Sequence, residues 1–290
     1  MRLPVEHHYL HVNGVRFHVT RAGRGKKLLL LLHGFPEFWW SWRHQIAALA
    51  DRYTVVAPDL RGYNETEKPS WGYELDVLVH DVAELIRTLG FHRAYVAGHD
   101  WGGMLAWSLA IARPYLVERL IVLNMPHPAR FVEELRRNPL QQRRSWYIGF
   151  FQIPWLAEAA LRARRGAAIA CAFRATAIDR QVFDEATIHH YQQAIARPGA
   201  LTAALNYYRS MVQVGARGMF RGTGMRVAAP TLLIWGEQDI AFALEVVHDT
   251  GRFVPDLRIH YLPQASHWVQ QVAPDEVNAA MAAFLEEEGS

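Results

Sequence analysis

The sequence predicts an α/β protein: a mostly parallel central sheet with helices on both faces and an inserted all-helical lid. Three observations carry this. Short apolar runs bounded by Gly and Pro alternate with helix-period segments up to about residue 125. The alternation stops between residues 130 and 215, where only helical patterns occur. It resumes at residue 230.

Asn13-Gly14 lies inside alternating residues 7 to 22, a strong hairpin signal. Five consecutive leucines, 28 to 32, read as a strand buried on both faces, because the run is short and ends at Gly34 and Pro36. Residues 38 to 50 read as helical, and Tyr53–Asp59 as a second buried strand. Residues 74 to 90 carry apolar side chains three and four apart and stop at Gly90, which makes a helix. Ala94–Asp100 is a third strand, the segment from Trp101 a helix ending before Pro114, and residues 118 to 126 hold a fourth strand. After the interruption come a strand in PTLLIWGEQD, a helix, a strand in LRIHYLP, a loop and a last helix from about 272 to 287. The expected organisation is a core of residues 1–129 and 216–290 with a helical cap of 130–215 over the carboxyl end of the sheet, where open α/β sheets bind ligands.

Composition narrows the classes. A chain of 290 residues with 51% hydrophobic and 20% charged residues folds around a sizeable core. A net charge of +3 is too small to argue for nucleic acid. Arginine is dense between Arg130 and Arg180, which reads first as a solvated helical face and second as a surface for a polyanion. The single cysteine, Cys171, excludes an internal disulfide and a multi-cysteine zinc site, and its apolar flanks predict a small buried side chain. Residues 1 to 12 lack the apolar centre of a signal peptide, and no apolar run approaches the ~18 residues of a membrane span. A cytoplasmic location is the default expectation.

The decisive segment is Gly98-His99-Asp100-Trp101-Gly102-Gly103, of the form Gly-x-nucleophile-x-Gly, between a buried strand and a helix. A nucleophile presented on so sharp a turn needs small neighbours, and the helix that follows aims its first N–H groups at developing negative charge. The bland alternative is an aspartate that merely caps the helix. An aspartate nucleophile, unlike a serine, attacks saturated carbon rather than an ester or amide. The covalent product is an alkyl ester, which water must then cleave with the help of a general base and an oxyanion hole. Chain order nominates the rest: nucleophile, acid, histidine. His267, between the last strand and the last helix, is the base. Asp239, just past a buried strand, is its acid, since the alternative position holds the uncharged Asn124. The oxyanion donors expected are the backbone N–H groups of Phe35, in the turn His33-Gly34-Phe35-Pro36, and of Trp101.

With these residues in place, the chain resembles the soluble epoxide hydrolases of the α/β-hydrolase superfamily. HGFPEFWWSWRHQ, PDLRGYNETEKP, GHDWGGMLAW, IWGEQD and ASHWVQQVAPDEVN match that family's blocks in order, across nearly the whole chain. The resemblance implies hydrolysis of a small apolar epoxide to a diol, with no metal or organic cofactor. It also implies two lid tyrosines that hold and protonate the epoxide oxygen. Tyr147, in SWYIGFFQIP, and Tyr208, in LNYYRS, match them, with Tyr207 the competitor in the neighbouring register and Gln152 and Arg209 as lid supports. Together with Phe35 and Trp101 these tyrosines are the expected substrate-binding residues.

A haloalkane or haloacid dehalogenase would use the same Asp100, His267 and Asp239. Against it, Phe35 and Trp101 stand where the resemblance to dehalogenases would place Asn and Arg, although the Trp101 indole leaves one halide donor. A ligand-binding protein without turnover on the same fold is the reading from another class. Monomer and homodimer both stay open, as do the natural epoxide and whether Phe38–Trp40 line a site or only pack.

Overall fold

The computed structural model describes residues 5–218 and 225–287; residues 1–4, 219–224 and 288–290, all within the expected core segments, lie outside the described residues. Eight strands form one sheet: β1 (Glu6–Val12), β2 (Val15–Ala22), β3 (Leu28–Leu32), β4 (Thr54–Pro58), β5 (Ala94–His99), β6 (Val117–Leu123), β7 (Thr231–Gly236) and β8 (Leu257–Leu262). Their order is β1-β2-β4-β3-β5-β6-β7-β8, and β2 runs antiparallel to both its neighbours while the rest are parallel. The hairpin turn is Asn13-Gly14, both with positive φ, as a primed two-residue turn requires. Every residue of β3, β4, β5 and β7 is buried, which is why these strands read as unbroken apolar runs.

Helices follow the expected alternation: α1 (Arg43–Leu49), α2 (Leu75–Thr88) and α3 (Trp101–Ala112) lie between the early strands. In α3 all but the last residue are buried, so it is apolar on every side. Between β6 and β7, among the described residues, come six α-helices: α4 (Pro128–Arg137), α5 (Pro139–Arg144), α6 (Trp146–Phe150), α7 (Leu156–Thr176), α8 (Glu185–Ala196) and α9 (Ala200–Gly218). Local chemistry fixes their starts. His127, Asn138 and Asp184 each accept a first-turn N–H of α4, α5 and α8, and Pro128 and Pro139 open their helices without a donor to waste. α7 is interrupted at Ala163–Gly166, where Arg164, Arg165 and Gly166 are left-handed. The chain closes with α10 (Val269–Val272) and α11 (Pro274–Glu286).

Two expectations are corrected and one open reading is decided. The helix expected after β7 is only two 3-10 turns, Leu244–Val246 and Thr250–Arg252. Asp249 takes a left-handed φ of 59° between them, so the helical bonding does not propagate despite buried Phe242, Val246 and Val247. Cys171 is exposed, not buried. The buried pair on this part of α7 is Ile169 and Phe173, and a residue two positions from each points about 200° away around the helix. Phe38–Trp40 pack rather than line the candidate site: Phe38 and Trp39 are buried, with Phe38 edge-on to Tyr191 at 5.6 Å.

Candidate active site

Asp100 occupies the turn between β5 and α3 with φ 49° and ψ −121°, a left-handed backbone for a residue with a side chain. The surrounding glycines make that turn sterically feasible. A Cβ on Gly98 would lie 2.2 Å from the Gly102 carbonyl oxygen, and one on Gly102 would lie 2.0 Å from that of Leu32. The Asp100 side chain makes no capping bond to α3. Its Oδ1 instead accepts the Phe35 N–H at 2.8 Å, across the turn that follows β3. Gly34 allows this approach, since a Cβ there would stand 2.4 Å from that of Asp100. Trp101, the other expected donor, is the first residue of α3, where N–H groups have no intrahelical acceptor.

The remaining Asp100 oxygen, Oδ2, is 3.6 Å from His267 Nε2. On the other side of the ring, His267 Nδ1 lies 2.8 Å from Asp239 Oδ2. Asp239 follows β7 and is held by its surroundings: Oδ1 accepts the N–H groups of Ala241 at 2.6 Å and Phe242 at 3.0 Å. Asn124, at the end of β6, donates Nδ2 to Asp239 Oδ2 at 2.6 Å and accepts the Gly236 N–H at 2.9 Å. Asn124 was passed over in the sequence because it is uncharged; the signal available was its place at the carboxyl end of the neighbouring strand.

All three groups are buried, so the electrostatics are strong. Burial opposes the charged imidazolium of His267, but Asp239 and Asp100 outweigh it and push the pKa up to about 10. Burial also works to raise the carboxyl of Asp100; His267, His99 and the Phe35 N–H overcome it and hold Asp100 below the ordinary carboxylate range. Asp239 is held low against burial chiefly by His267 and then Asn124. The two carboxylates thus favour the protonated form of the ring that lies between them.

Asp100 and His267 open into a cavity of about 450 Å³ whose walls come mainly from the inserted helices, including Leu161, Ile169 and Ala172 of α7. Phe35, Tyr147 and Tyr208 also line it. The two tyrosine rings meet edge-on at 5.9 Å, and Tyr208 packs edge-on against Phe35 at 5.5 Å and Trp101 at 5.1 Å. Burial, reinforced by the Asp100 charge, pushes both phenols above their ordinary pKa, so both stay protonated. Tyr207 belongs elsewhere: its hydroxyl donates to the Arg61 carbonyl at 2.8 Å. Gln152 ties the Ile148 and Tyr208 carbonyls together at 3.0 and 3.2 Å, and Arg209 grips Glu158 and the Phe151 carbonyl. Arg144 anchors α5 to the carbonyls of Asp239 and Phe242.

A polar cluster behind the site was not singled out in the sequence. Glu37, fully buried, accepts from the Gly34 N–H at 3.0 Å and meets His99 Nδ1 at 2.8 Å. Its other oxygen accepts from Gln270 at 3.0 Å and Gln271 at 2.7 Å. A charged residue inside an otherwise apolar turn, with a histidine ending an apolar strand, was the available signal.

The model for the alpha/beta hydrolase fold matches residues 27–274. The chain is 42% identical over 287 residues to human epoxide hydrolase 4, covering 95% of this chain and 77% of that protein. It is 37% identical over 297 residues to epoxide hydrolase 3 of Xenopus tropicalis, covering 98% and 78%. Among solved structures, the epoxide hydrolase of Bacillus megaterium in complex with an inhibitor superposes with a TM-score of 0.88 at 34% identity, covering 97% of this chain and all of that one.

Proposed function

The chain belongs to the epoxide hydrolases of the alpha/beta hydrolase fold family, and from that premise we propose that it opens small apolar epoxides to vicinal diols through a covalent ester on Asp100. The observation that carries the proposal is the unequal treatment of the two Asp100 oxygens. Oδ1 is bound by the Phe35 N–H, whereas Oδ2 faces His267 inside the cavity. Oδ2 is therefore the attacking atom, and Oδ1 becomes the carbonyl oxygen of the ester.

In the first step Oδ2 forms a bond to one epoxide carbon as that carbon's bond to oxygen breaks. The alkoxide that develops takes a hydrogen bond and then a proton from Tyr147 or Tyr208. A phenol held protonated by burial suits this task, because it donates at neutral pH and is restored by solvent later. The apolar walls keep water away from the opening ring.

In the second step the ester has lost the Asp100 charge. His267 then faces one carboxylate instead of two, its pKa falls, and it can release its proton and act as a base. It draws a proton from a water that attacks the ester carbonyl carbon, and Asp239 stabilises the imidazolium that results. Negative charge builds on Oδ1, where the N–H groups of Phe35 and Trp101 receive it; each such donor is worth about 3 kcal/mol of barrier. Collapse breaks the bond between the carbonyl carbon and the alkyl oxygen, that oxygen takes a proton from the His267 imidazolium and leaves as the diol, and the remaining carboxyl proton passes to His267, which returns the carboxylate. Residues 130–215 serve as the cap on a core of 1–129 and 216–290.

Single turnover in water enriched in heavy oxygen tests the scheme. Solvent oxygen should appear in Asp100, detected by peptide mass spectrometry, and not in the first diol released. Heavy oxygen in that diol would mean direct attack by water and would end the covalent scheme.

A further inference from the structure

Charge and exposed apolar surface are both concentrated on the inserted helices. From residue 135 to 178 the chain has eight arginines and one acidic residue, Glu158, although the whole chain carries only +3. Glu158 is turned inward onto Arg209 at 2.8 Å and does not neutralise the surface. Arg136, Arg137, Arg143, Arg162, Arg164 and Arg165 are all exposed.

Among these arginines stands an apolar turn. Ile153, Pro154, Trp155 and Leu156, which join α6 to α7, are exposed in succession. Trp155 is 86% exposed and holds a φ of 67°, a left-handed conformation that bulky residues avoid. The backbone is strained and the indole faces solvent. Trp146, 67% exposed, lies one helix earlier and lines the mouth of the cavity with Arg143 and Leu161. Helices α5, α6 and α7 thus share one cavity wall, and the exposed Ile153–Leu156 turn is the connection between two of them.

Large exposed apolar side chains on the same helices as exposed arginines, with Arg143 beside Trp146 at the cavity, have a definite complement. Trp and Leu favour the boundary between lipid headgroups and acyl chains, and arginines favour anionic headgroups. A second copy of the chain is a poor complement, because a self-facing contact would set the same arginines against each other. We propose that this face of the inserted helices docks on an anionic lipid bilayer, the Ile153–Leu156 turn entering the acyl boundary and the arginines resting on the headgroups. Docking is confined to the surface, since no helix among the described residues is long and apolar enough to cross a membrane. On the functional reading above, an apolar epoxide then reaches the cavity from lipid rather than from water. The docking itself does not depend on that reading.

The test is co-sedimentation of the full chain with phosphatidylcholine vesicles and with vesicles that also contain phosphatidylglycerol. The chain should pellet with the anionic vesicles, not the neutral ones, and release as salt rises to about 1 M, where the screening length is about 3 Å. The double variant Trp155→Ser, Leu156→Ser should bind about tenfold more weakly or worse, by loss of apolar insertion. Its thermal midpoint and its turnover of a small water-soluble epoxide should be unchanged. Arg136→Glu with Arg137→Glu should weaken the preference for anionic vesicles. Absence of pelleting with either vesicle, or equal pelleting with both, would overturn the proposal. So would a dimer in light scattering that Trp155→Ser dissolves without any effect on lipid. Turnover is measured separately, so failure to dock and failure to hydrolyse epoxides are distinguished.

Discussion

One ring nitrogen of His99, Nε2, donates to the backbone carbonyl of His267 at 2.8 Å, and the ring stands between Glu37 and the loop that carries His267. A carbonyl only accepts, so Nε2 carries a proton. Glu37 Oε2 accepts the Gly34 N–H and lies 2.8 Å from Nδ1, the ring's other nitrogen. This buried pair joins the turn that carries Phe35 to the loop that carries His267.

Glu37→Gln removes the charge and supplies donors where four acceptor contacts are needed. Breaking a buried pair in this way costs about 3–5 kcal/mol. Urea unfolding should report a loss of that size, with activity reduced in the fraction that folds. An unchanged midpoint would mean the cluster contributes nothing to holding the site.

Asp100→Ala should abolish diol formation with the fold retained. Asp100→Asn should also lower the His267 pKa from about 10, because one of the two carboxylates that raise it is gone. Imidazole resonances followed by NMR titration would report the drop. Full turnover by the alanine variant would remove Asp100 as nucleophile.

His267→Gln should permit alkylation and block release. Intact-mass spectrometry of this variant with stoichiometric epoxide should find one substrate mass added to the chain. If the mass stays that of the free protein, the two-step scheme loses its intermediate.

Tyr147→Phe and Tyr208→Phe should each slow the single-turnover alkylation step by about 10²-fold, the usual scale for a lost general acid. Tyr207→Phe is the register control. It loses only the bond to the Arg61 carbonyl, so it should cost about 1 kcal/mol of stability and leave the alkylation rate alone. Equal rate effects at 207 and 208 would contradict the assignment.

The charged trio also sets how stability varies with pH. His267 is raised from 6.5 to about 10, so its contribution is complete below pH 6.5 and lost as pH climbs through about 10. Asp100 and Asp239 are lowered from 3.8, so theirs is present above that value and lost in stronger acid. Unfolding midpoints should fall between pH 6.5 and about 10 in the wild type, and in Asp100→Asn the fall should be smaller and end at lower pH, because only the folded-state pKa has dropped. Superimposable pH profiles would deny the coupling between positions 100 and 267.

The sequence made the centre of the sheet legible because β3, β4, β5 and β7 are buried along their whole length and are written as short, mostly apolar runs. Asp100 was legible because glycines at 98 and 102 are demanded by contacts of 2.2 and 2.0 Å, and so leave a fixed spacing. What stayed hidden depends on partners distant in the chain. Asn124 matters through Asp239, 115 positions later, and Glu37 through Gln270 and Gln271, more than 230 positions later. Cys171 was misread because apolar neighbours on an interrupted helix do not say which side faces in. The helix expected after β7 had the apolar residues but not the backbone, since Asp249 is left-handed.

The inserted helices leave the sheet after β6 and precede β7, so they are one contiguous cassette. Two of the proposed reacting groups, the phenols at 147 and 208, travel with that cassette, whereas positions 100, 239 and 267 stay with the frame. A chimaera given a foreign cassette without those phenols would still discharge a preformed ester but could not readily begin a new cycle. On the proposed scheme, changes in cavity lining and changes in the ability to initiate chemistry would fall in the same stretch of gene.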